Sequence, residues 1–180
     1  MPRLILLNGP PAAGKSTLAQ MYADEHPPAL SLDIDLIRAM IGGWRADLAV
    51  AGRLARDLAV AAARTHLTAG HDVVVPQLVA RPEFLARLES LAAACGAEFH
   101  EVVVLPDERT AIEMYAARAR ATAAVRLGAA ISTDRTPAEL AQTRRDLLAV
   151  LASRALAVVV PIQAGEIGQA YQEILDCLDC

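Results

Sequence analysis

The sequence predicts an α/β domain in which about five parallel strands are covered by helices on both faces. Three observations lead there. Short apolar runs of strand length alternate with helix-length stretches along all 180 residues, the pattern of a parallel sheet with crossover helices. The runs are almost continuously apolar, as strands buried on both faces must be. The first run also leads straight into a turn-rich stretch, "NGPPAAGKST" (8–17), at the carboxyl end of a strand, where such sheets bind ligands.

The elements follow in order. "RLILL" (3–7) reads as a buried strand, and "STLAQMYADEH" (16–26) as a helix with Leu18, Met21 and Tyr22 on or near one face. Pro27 and Pro28 stop it. "ALSL" (29–32) is a short second strand, followed by a helix from about Asp35 to Ile41 and a break at Gly42-Gly43. A long alanine-rich helix, about 46–69, ends at Gly70, since glycine readily takes the left-handed conformation that closes a helix.

"DVVV" (72–75), β-branched and bounded by Pro76, is the third strand, and 81–95 is helical up to Gly96. "FHEVVVL" (99–105) is the fourth strand. Helices follow at about 107–127 and 137–153, joined by "GAAISTDRTP". "LAVVVPI" (156–162) is the fifth strand, and 165–178 closes the chain as a helix. No repeat, low-complexity segment or long linker interrupts the series, so 1–180 reads as one domain.

Composition narrows the function classes. Hydrophobic residues make up 54% and aromatics only 3%, so the core is built from Leu, Val, Ile and Ala. The net charge is −4 and no basic run appears, which disfavours a nucleic-acid partner. No apolar stretch approaches the ~18 residues of a membrane span, and "LILL" is too short for a signal-peptide core. The expectation is a soluble, cytoplasmic protein without a membrane partner. Its oligomeric state is left open.

Cys177 and Cys180 form a C-x-x-C pair, the third cysteine being Cys95. The pair ends a helix and is interleaved with Asp176 and Asp179, which oppose thiolate formation. Two ligands do not make a structural zinc site, so the pair reads as incidental. The histidines at 26, 66, 71 and 100 lack metal-ligand spacing, and Trp44 reads as packing.

Gly9 to Ser16 fits G-x-x-x-x-G-K-[ST] between a strand and a helix, the context this pattern requires. Gly9, Pro10, Pro11, Ala12, Ala13, Gly14, Lys15, Ser16 and Thr17 are therefore candidate nucleotide-binding residues. Glycines let the backbone curl its N–H groups inward, and the helix start behind them adds a positive dipole end. Lys15 is the sole lysine of the chain. Its flexible ammonium follows β- and γ-phosphates where the planar fork of arginine would not fit. The Ser16 hydroxyl suits Mg²⁺.

Beyond the second strand, "LDIDLIR" (32–38) places Asp33 and Asp35 two apart where strand gives way to helix. A carboxylate there can take a proton from an attacking hydroxyl or hold Mg²⁺ through water. Arg38 lies one helical turn after Asp35 on the same face. The alternative is structural: Asp33 as a helix cap, and Asp35 with Arg38 as a surface pair.

The phosphate loop together with D-x-D-x-x-R resembles the small P-loop phosphotransferases. These include chloramphenicol phosphotransferase, adenylylsulfate kinase, gluconate and shikimate kinases, zeta toxins and 5′-polynucleotide kinases. The specific likeness covers roughly 3–44, "LDIDLIR" being most similar to the adenylylsulfate-kinase and polynucleotide-kinase pattern. The resemblance implies a P-loop kinase-like three-layer fold that uses ATP and Mg²⁺, with Asp35 as base and Arg38 on the acceptor.

It also implies a helical lid bearing arginines. The lid falls at about 107–136, where arginine would neutralise charge building in the transition state; Arg118 and Arg120 are favoured over Arg126 because their spacing resembles the R-x-R of the family's lid, the alternative being a solvated helix face. Two departures stand out. "DVVVPQ" offers Pro76 and Gln77 where many relatives carry a third-strand Asp, so the metal duty is expected of Asp33, while Gln77 either faces the substrate or is an ordinary loop residue. The glycine cluster that shikimate kinases place after that strand is missing, which disfavours shikimate.

The resulting expectation is transfer of the ATP γ-phosphate to a hydroxyl of a small molecule such as an antibiotic, nucleoside or sugar. The alternatives are a nucleotide-dependent regulatory ATPase, and a toxin-type or 5′-polynucleotide kinase. The acceptor stays unnamed, because helices such as 44–69 build its pocket.

Overall fold

The structure is a computed structural model and describes residues 1–124 and 136–179. Five strands, β1 (Arg3–Asn8), β2 (Leu30–Ser31), β3 (Val73–Pro76), β4 (Glu98–Leu105) and β5 (Val158–Pro161), form one sheet in the order β2-β3-β1-β4-β5. Every neighbouring pair is parallel. The helices are α1 (Lys15–Glu25), α2 (Ile34–Met40), α3 (Leu48–Thr68), α4 (Pro82–Ala94), α5 (Glu108–Ala124), α6 (Pro137–Leu151) and α7 (Ile167–Leu178).

Strand alternation divides the core into two layers, because successive side chains point to opposite faces. Leu4 and Leu6 of β1, with Val73 and Val75 of β3, pack against Ala55, Ala59 and Ala63 of α3 and Leu85, Leu88 and Leu91 of α4. Ile5, Leu7, Val74, Val102 and Val104 face the other way, against Leu18 and Tyr22 of α1 and Ile174 of α7. Both faces of β1, β3 and β4 are thus covered, as their unbroken apolar runs require. On α1 the expected inner face holds for Leu18 and Tyr22, with Met21 only partly buried beside them.

The inner stripe of α3 is built from Ala51, Ala55, Ala59 and Ala63, four residues apart and all buried. Asp47 caps this helix by accepting from the Val50 N–H at 2.9 Å. At the edge of the sheet β2 is shorter than its apolar run, pairing only Leu30 with Val73 and Ser31 with Val74. Leu32 still donates its N–H to Val74 O at 2.8 Å, and this extension carries the chain to Asp33 beside the phosphate loop. No helix among the described residues is long and apolar enough to cross a membrane.

The connection leaving β1 sends α1 to one face of the sheet, while that leaving β3 sends α4 to the other. Between the carboxyl ends of β1 and β3 the chain therefore opens a crevice, the switch point where open parallel sheets bind ligands.

Candidate active site

The loop between β1 and α1 is shaped by its backbone. Gly9 has φ 143°, and a Cβ there would lie 2.3 Å from the Val104 carbonyl oxygen, so only glycine fits. Gly14, at φ 82°, is the N-cap of α1, and Ala12 also takes a positive φ of 65°. Gly14 offers no side-chain cap, and the first turn of α1 contains no acidic residue. The N–H groups at this helix start are thus left for an anion. Residues 12–17 together with Arg118 line a cavity of about 280 Å³. Buried Lys15 donates from Nζ to Gly9 O at 2.9 Å and Pro10 O at 2.7 Å, which lays its ammonium along the loop.

Asn8, fully buried, fixes the loop from behind. Its Oδ1 accepts from Gly9 N at 2.8 Å and Val79 N at 2.9 Å, while Nδ2 donates to Val79 O at 2.9 Å and Glu101 Oε1 at 3.1 Å. Glu101 in turn accepts from Arg154 Nε at 2.9 Å. One amide thus staples the start of the phosphate loop to the segment after β3.

Both readings of Asp33 meet in the fold. Its Oδ1 accepts from the Asp35 and Leu36 N–H groups at 2.9 and 3.4 Å, capping α2, and its Oδ2 accepts from the Ser16 hydroxyl at 2.9 Å. Two oxygen donors of α1 and α2 therefore stand side by side next to the phosphate loop. Hard oxygens of this kind suit Mg²⁺, which keeps several waters and is held by one or two carboxylates plus phosphates. Among the described residues no group of three or more His, Cys, Asp and Glu side chains could hold a metal by itself, so ligand oxygens would have to complete the shell.

Asp35 forms an ion pair with Arg38 at 3.1 Å. Burial pushes its carboxyl above the usual aspartate range and Asp33 adds to this, while Arg38, Lys15 and Arg118 pull the other way. The carboxylate thus stands within the field of the phosphate-loop lysine. Asp35 and Arg38 also line a second, larger cavity of about 850 Å³, between α2, α3, α4 and the segment after β3. Gln77 lines it too, and its buried Oε1 has no hydrogen-bond partner among the described residues. Trp44, expected only to pack, lies under two guanidinium groups, with Arg45 4.3 Å and Arg38 5.3 Å from the ring centroid.

The structure brings the sequence candidates together with one division. Arg118 lines the phosphate cavity; Arg120 is exposed and does not line it. Side chains two apart on an α-helix point about 200° apart, so an R-x-R pair on α5 cannot present both guanidiniums to one cavity. Arg126 and the 128–135 part of the expected lid loop lie outside the described residues, as does Cys180. Cys177 packs on the apolar face that α7 turns to the core.

Reading the sequence missed Asn8 and the arginines of the larger cavity, Arg53, Arg56, Arg81 and Arg87. For Asn8 the available signal was a polar residue closing an apolar strand. The arginines, four among 16, carried no signal of their own.

Comparison with known proteins agrees with this architecture. A family model described as an AAA domain matches residues 4–131. Among solved structures, the adenylylsulfate (APS) kinase CysC of Mycobacterium tuberculosis, in complex with AMPPNP and APS, is similar with a TM-score of 0.65 at 20% identity, over 99% of this chain and 98% of that one. A gluconokinase from Sinorhizobium meliloti gives 0.62 at 16% identity, over 99% and 91%. The tunicamycin resistance protein of Deinococcus radiodurans gives 0.63 at 15%, over 99% and 96%. At these identities the likeness is one of fold. No curated protein matches the sequence. With a strand-loop-helix phosphate site at the switch point of a five-stranded parallel sheet, and a family match over most of its length, the chain belongs to the AAA domain family of P-loop proteins and has a P-loop kinase-like fold.

Proposed function

We propose that the protein transfers the γ-phosphate of ATP to a hydroxyl group of a small molecule. The observation that carries this reading is the position of Asp35. It lines the larger cavity while Lys15 and Arg118, which line the phosphate cavity, act on its carboxylate. A proton acceptor that lines one cavity and is tied through Asp33 to Ser16, which lines the other, suits hydroxyl phosphorylation.

In this reading the phosphate loop and Lys15 hold the β- and γ-phosphates of ATP. The acceptor hydroxyl lies between Asp35 and Arg38, and Gln77 Oε1, without a hydrogen-bond partner among the described residues, faces the same cavity to accept from a second donor of the acceptor. As the acceptor oxygen bonds to the γ-phosphorus, the bond to the β,γ-bridging oxygen breaks and ADP leaves. Asp35 takes the hydroxyl proton. Arg118 balances the charge on the transferring group. Mg²⁺, when bound, neutralises charge on the β- and γ-phosphate oxygens, and Ser16 with Asp33 are the residues that would hold it.

A coupled ADP-release screen of the purified protein across antibiotics, nucleosides and sugars tests the reading, with Lys15→Ala as control. Acceptor-dependent ADP release that disappears in Lys15→Ala is the expected result. AMPPNP binding that survives Lys15→Ala unchanged by calorimetry would remove the assignment of Lys15 to the β- and γ-phosphates. ADP release indifferent to every acceptor would favour a nucleotide-dependent regulatory ATPase instead.

A further inference from the structure

The larger cavity is lined by five arginines and three carboxylates, although the whole chain carries a net charge of −4. Two of the carboxylates are engaged: Asp35 with Arg38 at 3.1 Å, and Asp57 with Arg87 at 2.6 Å. The third, Glu83, is exposed. What remains is partly buried Arg56, with Arg53 and Arg81 exposed beside it. Arg53 and Arg56 lie one turn apart on α3, and Arg81 is the N-cap residue of α4. Among the described residues no hydrogen bond or ion pair engages their side chains.

Arg56 is the centre of this group. It is partly buried, with its guanidinium carbon 5.9 Å from the Phe84 ring centroid. Burial lowers its pKa, and so do the charges of Arg81, Arg53 and Arg87, with Asp57 alone opposing them. Like charges held together beside an apolar wall repel more strongly than they would in water. A fold that keeps them there gains once an anion arrives. Guanidinium forks match carboxylate, sulfate and phosphate oxygens in bidentate geometry, and the Phe84 and Val79 side chains leave room for an apolar body beside them.

We propose that the acceptor is a small hydroxyl compound bearing an oxyanion, which Arg56 grips with Arg53 and Arg81 so that the hydroxyl reaches Asp35. This rests on the phosphotransferase reading above and names the substrate class for it. Arg53, Arg56 and Arg81 are then specificity-determining residues, remote from the transferring phosphate. A cavity of about 850 Å³ has the size of a small-molecule site, which favours a small anion over a nucleic-acid strand.

The first test uses inorganic phosphate and acetate as probes, titrated at constant ionic strength into protein saturated with Mg-AMPPNP, and read by calorimetry. Saturable binding is expected, weakened at least ~10-fold in Arg56→Gln because a charge-assisted hydrogen bond is lost. AMPPNP affinity should stay unchanged. Arg53→Gln, at an exposed position, serves as second variant if Arg56→Gln does not fold. Absence of saturable binding, or equal binding by the variants, would overturn the proposal.

The second test compares acceptors in ADP release as matched pairs, glycerol with glycerate and nucleosides with their monophosphates. The anionic member should be preferred, with KM rather than kcat rising in Arg56→Gln. A neutral acceptor indifferent to Arg56→Gln, or a requirement for an oligonucleotide, would overturn it. If AMPPNP fails to bind at all, the phosphotransferase reading falls by itself. The phosphate titration, repeated in Lys15→Ala, then judges the arginine group separately.

Discussion

The Ser16 hydroxyl donates a 2.9 Å hydrogen bond to Asp33 Oδ2, while Asp33 Oδ1 accepts the Asp35 N–H at 2.9 Å. A single carboxylate therefore sets the start of α2, and with it Asp35, against the start of the phosphate-loop helix. The β2 extension brings Asp33 to the phosphate loop, and this contact then ties the start of α2 to that of α1.

Asp33→Asn separates the two duties of that carboxylate. Asparagine caps a helix about as well as aspartate, so stability should change by less than about 1 kcal/mol. The neutral amide is a poorer ligand for a hard cation. The Mg²⁺ concentration giving half-maximal ADP release, and that supporting AMPPNP binding, should both rise roughly 10-fold, with turnover partly restored at high Mg²⁺. An unchanged Mg²⁺ dependence would show that Asp33 only caps.

Asp35→Asn keeps the side-chain shape but cannot take a proton. General-base removal costs about 10²–10⁴ in rate, and a loose phosphoryl transition state places part of that loss in positioning. Turnover should fall at least ~10²-fold while ATP affinity moves only a few-fold. Near-normal turnover with a true acceptor would mean that Asp35 is not the base.

The environment of Asp35 also fixes the direction of its pH dependence. Burial raises its pKa above the ordinary 3.8 and Asp33 adds to the rise. The active ionised form is therefore complete above this raised pKa and is lost as pH falls through it. In kcat/KM, which reports the free enzyme, the acid limb should lie higher than for an ordinary aspartate. Arg38 is the strongest opposing influence, so Arg38→Gln should move the limb to still higher pH, whatever it does to the maximum. A limb that stays in place would detach it from Asp35.

Asn8→Ala removes four buried hydrogen bonds and leaves the Gly9 and Val79 N–H groups without their acceptor. Stranding buried donors costs about 1–3 kcal/mol each, and partial relaxation should hold the loss in urea unfolding to about 2–4 kcal/mol. Nucleotide affinity should drop as well, since the loop start loses its anchor. A loss below ~0.5 kcal/mol, the size of an ordinary surface substitution, would deny Asn8 this role.

Local rules carried much of this protein. Apolar runs such as "RLILL" and "DVVV" gave strands within a residue or two, because burial on both faces demands unbroken hydrophobicity. Gly9, Gly14 and Lys15 were legible because a loop that wraps phosphates needs those backbone and charge properties at fixed spacing. Asp35 and Arg38 were legible as an i,i+3 pair on one helix. Other features depend on residues that meet only after folding. Whether Asp33 capped a helix or faced the phosphate site was undecided until α2 came to rest beside Ser16, and it does both. Arg118 and Arg120 were equivalent in sequence, and the rotation of α5 about its axis turned only Arg118 into the phosphate cavity. Beyond Arg38, the larger cavity draws its arginines from α3 and from α4 with its N-cap, on opposite sides of β3 in the chain. Spacing within either helix says nothing of the charge the two create together, so tertiary packing alone decided it.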